Sequence, residues 1–282
     1  MKKNELIKKS LLTGFIYTVI TCIVQVPVAN IIFSILNLKS DSLVGENELL
    51  ILLLTIFIVG IALAIFYYLF GYLFKSDNKM LQGLKFTAFI YAANYIPQVF
   101  FLDATTGLKK LISGGFPVIQ VELFDLIILV ATVLIMVHYM PYKKINNKIM
   151  LKFSLKDLFA GIIFSTSLII INEILLPLFG FANMAEGLNV LKENILFFYG
   201  VMAIGFVITG CLVSYFSRIQ KLVENKQSFC IMFGILIWCI FDLTMIPLGF
   251  GLTATILFVI VSMISFIILN IYINYANKNK IL

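Results

Sequence analysis

At 282 residues, 61% of them hydrophobic and only 12% charged, with a mean hydropathy of +1.06, the chain lacks the polar surface that a water-soluble globule of this length needs. A net charge of +7 and a pI near 9.1 would suit a nucleic-acid binder if they stood alone. The basic residues fall between uncharged runs of membrane-spanning length, which excludes nucleic acid as a partner and leaves an integral membrane protein.

The predicted elements are helices. The start, MKKNELIKKS, resembles the basic region of a signal peptide, but the apolar run 11–36 is too long for one and has no small-residue cleavage site, so it reads as an uncleaved first span. Further spans are expected at 49–74, 84–102, 120–140, 157–180, 194–216, 229–250 and 252–274. Alternate connections hold 17 of the 21 basic residues, and the others carry Lys39, Lys109, Lys110 and Lys192 among eight acids. This positive-inside pattern predicts a cell-membrane protein with cytoplasmic N- and C-termini.

The fold class expected is therefore an all-α integral membrane protein of about eight transmembrane helices, built as two parallel four-helix repeats, 1–145 and 146–282. The repeat shows at an offset of 147, where Gly14 faces Gly161, Thr18 faces Ser165, Gln25 faces Asn172 and Tyr68 faces Tyr215. A three-residue insertion after the second span then brings Pro97 opposite Pro247. An even number of spans per unit inserts both copies in the same direction.

Candidate chemistry lies on the odd-numbered spans. Glu173 and Asp242 are the formal charges deepest inside the predicted spans, and a carboxylate at mid-membrane costs at least about 2.5 kcal/mol, so such groups face a bundle interior, a partner or water. Gly14, Thr18, Thr21 and Gln25 share one helical face, as do Asn94 and Gln98, and Gly161, Ser165 and Asn172. These patterns predict a polar, outward-facing cavity lined by Gln25, Asn94, Gln98, Asn172, Glu173 and Asp242, able to take a cation, an amine, a hydroxyl-bearing solute or a proton. Pro27, Pro97, Pro177 and Pro247 each remove one helical hydrogen bond, freeing a carbonyl that a ligand could use.

Other residues have simpler readings. Gly60 with Ala64, and Gly210 with Ser214, are spaced for close helix contact. The cysteines Cys22, Cys211, Cys230 and Cys239 lie within spans, form no C-x-x-C pair and are read as small apolar side chains. His138 sits at a membrane interface. Zinc-protease, Walker A, nucleophile-elbow and dinucleotide-binding motifs are absent, so no enzymatic activity and no cofactor are expected. The function expected is a carrier or permease for a small solute or lipid, its partners being the bilayer and the solute or a proton. The alternative is a non-catalytic scaffold, sensor or accessory subunit that meets a membrane-protein partner through helix contacts.

Overall fold

A computed structural model describes residues 3–25, 49–97, 117–143, 152–180, 195–245 and 252–278. Most of these residues are helical, with no strand among them. In chain order the helices are α1 (Lys3–Ile23), α2 (Leu49–Phe70), α3 (Lys79–Ile90), α4 (Pro117–Tyr139), α5 (Leu155–Leu178), α6 (Ile195–Glu224), α7 (Phe229–Phe233) and α8 (Leu252–Lys278). Among the described residues five helical stretches are long and apolar enough to cross a bilayer: Lys3–Ile23, Leu49–Phe74, Leu155–Leu178, Ile195–Glu224 and Thr255–Asn277. The chain is an α-helical protein of membrane type.

Local sequence explains where several helices begin and end. Pro117 opens α4, where its missing N–H is no loss, so Glu122 and Asp125 belong to a helix that starts three residues before the predicted span. At the start of α5, Asp157 accepts from the Ser154 N–H at 2.9 Å, closing the first turn. Gly180, at φ +78, ends α5, and Asn225, at φ +53, ends α6; these residue types adopt the left-handed conformation most readily.

The described residues divide into two compact units. The first draws on Met1–Ala88, Gln120–Lys144 and Ile240–Thr255, the second on Phe89–Ile119, Ile145–Cys239 and Ile256–Leu282. Residues 89–97 group with the second unit, and residues 240–245 and 252–255 with the first.

In the first unit α1 packs closely along α2. A Cβ placed on Gly60 would lie 2.8 Å from Gly14 Cα, 2.7 Å from Tyr17 Cβ and 3.1 Å from the Thr13 carbonyl oxygen. The glycines are thus the crossing point, and a larger residue would force the backbones apart. Tyr17, Val24, Ile56, Val59, Phe124 and Ile128 form the core beside it. Thr13 and Tyr139 share a hydroxyl–hydroxyl hydrogen bond of 2.8 Å, which ties α4 to α1.

In the second unit α5 crosses α6 in the same manner. A Cβ on Gly210 would lie 2.7 Å from Gly161 Cα, 2.8 Å from Phe164 Cβ and 3.0 Å from the Ala160 carbonyl oxygen. By contact role Gly14 matches Gly161 at an offset of 147, whereas Gly60 matches Gly210 at 150. Gly14 and Gly60 are thus 46 positions apart in the sequence and Gly161 and Gly210 are 49 apart. The Lys156 ammonium donates to the Ala276 carbonyl at 3.1 Å, tying α8 to α5. Phe89, Phe216, Phe229 and Phe233 pack ring on ring, and Phe164, Trp238 and Phe266 continue this aromatic core.

Candidate functional site

The helical stretches expected as spans three and seven, neither of which is among the five long apolar helices, leave α geometry where their polar residues lie. After α3, Tyr91–Tyr95 forms a π turn, with the Ile96 N–H reaching back to the Tyr91 carbonyl. Asn94 lies within this turn and is fully buried. After α7, Gly234–Cys239 forms a second π segment, followed by a short α turn, Ile240–Asp242, and a 3-10 turn, Leu243–Met245. Asp242, 4% exposed, sits at the junction of these last two turns. Such departures are uncommon in helices and concentrate at functional positions.

Buried side chains hold both π segments. The Thr209 hydroxyl on α6 donates to the Ala93 carbonyl at 2.8 Å, next to Asn94. Trp238 Nε1 donates to the Ser262 hydroxyl on α8 at 3.1 Å. The thiols of Cys230 and Cys239 donate to the carbonyls of Phe266 and Val259, so these cysteines act as weak donors in the core rather than as purely apolar filling.

The predicted lining residues are placed as follows. Gln25 is exposed at the end of the described part of span one, and it belongs with Asp242 to the first unit. Asn94, Asn172 and Glu173 belong to the second. Asn172 is buried and its amide donates to the Leu168 carbonyl at 3.0 Å, while its own carbonyl oxygen accepts no hydrogen bond among the described residues. Glu173, its neighbour in sequence, is half-buried on a different face of α5. Asn94 lies at the level of Thr209 and Gly210, where Gly161 crosses. Asn172 is eleven residues beyond Gly161, about 16 Å farther along the helix. The two amides thus occupy different levels of the second unit. Gln98, Pro27 and Pro247 lie outside the described residues.

Much of the hydroxyl stripe is satisfied at short range. Thr18 donates to the Gly14 carbonyl and Thr21 to the Tyr17 carbonyl, each within α1. Ser165 donates to the Ala203 carbonyl at 3.1 Å, joining α5 to α6.

A charged cluster unforeseen in the sequence occupies the other end of the second unit. Asp157 is fully buried, and Arg218 forms a two-pronged ion pair with it, Nε donating to one carboxylate oxygen at 2.9 Å and Nη2 to the other. The Ser214 hydroxyl donates to the same carboxylate at 2.9 Å, and Arg218 Nη2 also reaches the Lys152 carbonyl at 3.2 Å. Two sequence signals could have found it. Asp157 stands three residues after Ser154, as a helix-capping acid does, and Arg218 is the single arginine among 21 basic residues. A planar fork suits a two-pronged carboxylate pair where an ammonium does not. The sequence separation of 61 between the partners hides the pairing.

No protein-family model matches the chain, and no curated protein or solved structure matches it.

Proposed function

We propose that this chain is a membrane carrier for a small solute, formed by two parallel four-helix repeats with cytoplasmic termini. Spans three and seven are its solute-handling elements. The observation that carries this reading is the pair of broken helices: each holds a buried polar residue, Asn94 or Asp242, within or beside a π or 3-10 turn, and each runs toward a proline. Interrupted membrane helices supply free backbone groups as well as side chains to a substrate, and they bend where a continuous helix does not. The duplication is supported by the two glycine crossings, in which three contacts at Gly60 have their counterparts at Gly210. Amides and carboxylates on these spans suit a cationic, amine or hydroxyl-bearing solute.

The test is the accessibility of Asp242→Cys on a cysteine-free background to a membrane-impermeant thiol reagent added from outside. A carrier labels there, and the transported solute protects it. Complete resistance in a folded, inserted protein leaves Asp242 as a helix-packing group and moves the assignment to a scaffold or accessory subunit. That second reading is favoured by the hydroxyls of Thr18, Thr21 and Ser165, which bond to helix carbonyls.

A further inference from the structure

We infer that Thr209 is a two-position latch on a hinge in span three. In an α-helix the Ala93 carbonyl would accept from the N–H of residue 97, and residue 97 is Pro97, which has none. The π turn Tyr91–Tyr95 lies at this break, and the Thr209 hydroxyl of α6 donates to the Ala93 carbonyl at 2.8 Å, in place of the α-helical donor that residue 97 cannot supply. The carbonyl that Pro97 frees is thus taken by the protein itself rather than left for a ligand.

The same hydroxyl lies 3.5 Å from the Gly205 carbonyl, one turn back on its own helix. A hydroxyl carries one proton and can commit it to one acceptor at a time. Directed at Ala93, it fixes the π turn against α6; directed at Gly205, it keeps its own bond satisfied and releases span three. Both Thr209 and Ala93 are fully shielded, so water cannot substitute for the latch while the segment is packed. Removing one residue from a π turn to restore α geometry would rotate Ile96 and Pro97 by about 100° relative to α3, since each residue advances the helix by that angle. A single hydroxyl therefore controls an element with two discrete arrangements. The inference concerns span three alone and stands whether or not the protein transports a solute.

Amide hydrogen exchange across residues 91–96 of the full-length protein in detergent micelles tests it. Thr209→Val keeps the shape and deletes the donor; exchange there should rise about tenfold, because a buried carbonyl has lost its partner. Thr209→Ser should return it to within about twofold of the parent. Ser165→Ala removes a different interhelical hydroxyl bond to α6, the one from α5, and serves as the control for general loosening; it should leave residues 91–96 unchanged. Pro97→Ala restores the N–H that Ala93 lacks and should abolish the effect of Thr209→Val. Unchanged exchange in Thr209→Val, an equal rise in Ser165→Ala, or failure of Pro97→Ala to suppress overturns the latch. Should Thr209→Val not fold, the double variant Pro97→Ala/Thr209→Val decides: it should fold and exchange like Pro97→Ala, and failure to do so also overturns the inference.

Discussion

The α1–α2 hairpin of the first unit and the α5–α6 hairpin of the second use the same crossing and finish it differently. At the crossing, Gly14 and Gly60 meet as Gly161 and Gly210 do, with Tyr17 and Phe164 in the same place. One to two turns away the correspondence breaks. Asp157, Ser214 and Arg218 close the second hairpin with a buried ion pair, and in the crossing register their counterparts are Ser10, Ala64 and Tyr68. Ser10 is buried and its hydroxyl makes no hydrogen bond among the described residues. Backbone proximity requires glycine in both hairpins, whereas the end of the hairpin tolerates either a charged solution or a nearly apolar one.

The ion pair offers the largest break in this comparison. Arg218→Ala leaves the fully buried Asp157 without its counter-charge and should lower stability by about 3–5 kcal/mol, read as a fall in thermal unfolding temperature in detergent. Asp157→Ala should cost less, because the Arg218 side chain retains 14% exposure and can turn to water while Asp157, at 0%, cannot. The double variant Asp157→Leu/Arg218→Met should lie closer to the parent than Arg218→Ala does, since no lone charge remains. In the first hairpin Ser10→Ala should be neutral within about 0.5 kcal/mol, or slightly stabilising, because it removes an unsatisfied buried hydroxyl. Equal losses from Ser10→Ala and Arg218→Ala would contradict the asymmetry.

The crossing offers the next. Gly161→Ala would put a methyl 2.5 Å from the Val207 carbonyl oxygen and 2.6 Å from Cys211 Sγ; Gly14→Ala would put one 2.7 Å from the Phe57 carbonyl oxygen and 2.9 Å from Ile61 Cγ1. In each case the nearest atom is backbone and cannot swing aside, so each substitution should cost about 1–3 kcal/mol. The two losses should agree to within about 1 kcal/mol, with Gly161→Ala the larger. A loss at one position alone would mean that the shared spacing is not a shared contact.

These cases also mark what the sequence could disclose. Helix type and the apolar spans follow from runs of uncharged residues, because hydrocarbon forces backbone hydrogen bonds inward. Small residues such as Gly60 and Gly210 announce close contact at helical spacing. Isolated tyrosines such as Tyr68 and Tyr215 carry no positional constraint, whereas glycines at a helix crossing do. Asn94 and Asp242 stood out as polar groups in apolar runs, but their π and 3-10 surroundings depend on which neighbours supply hydrogen bonds. Thr209 lies more than a hundred residues from Ala93, and no local pattern joins them.

The connection between the second and third helices of each half gives the finest comparison. Both use one buried glutamine, on opposite sides of the turn. In the first unit Gln82, on α3, donates from Nε2 to the Gly71 carbonyl at 3.1 Å, where α2 has tightened into a 3-10 turn. In the second unit Gln220, on α6, accepts from the N–H groups of Ser228 and Phe229, each at 2.9 Å, and so caps the start of α7. Replacing Gln220 with Leu orphans two backbone donors at a helix start, where no intrahelical acceptor exists, and should cost about 1–2 kcal/mol. Replacing Gln82 with Leu orphans one carbonyl at a helix end, where a second lone pair and adjacent N–H groups give it alternatives, and should cost about 0.5–1 kcal/mol. Thermal unfolding of the two variants, and of Gln220→Glu, separates capping from filling. A glutamate keeps an acceptor oxygen toward the Ser228 and Phe229 N–H groups but loses the Nε2 donor to Glu224 and to the Ser228 hydroxyl and places a like charge near Glu224, so it should recover only part of what leucine loses. Full recovery would make the donor side of Gln220 irrelevant, and no recovery would place its role in packing rather than in the cap.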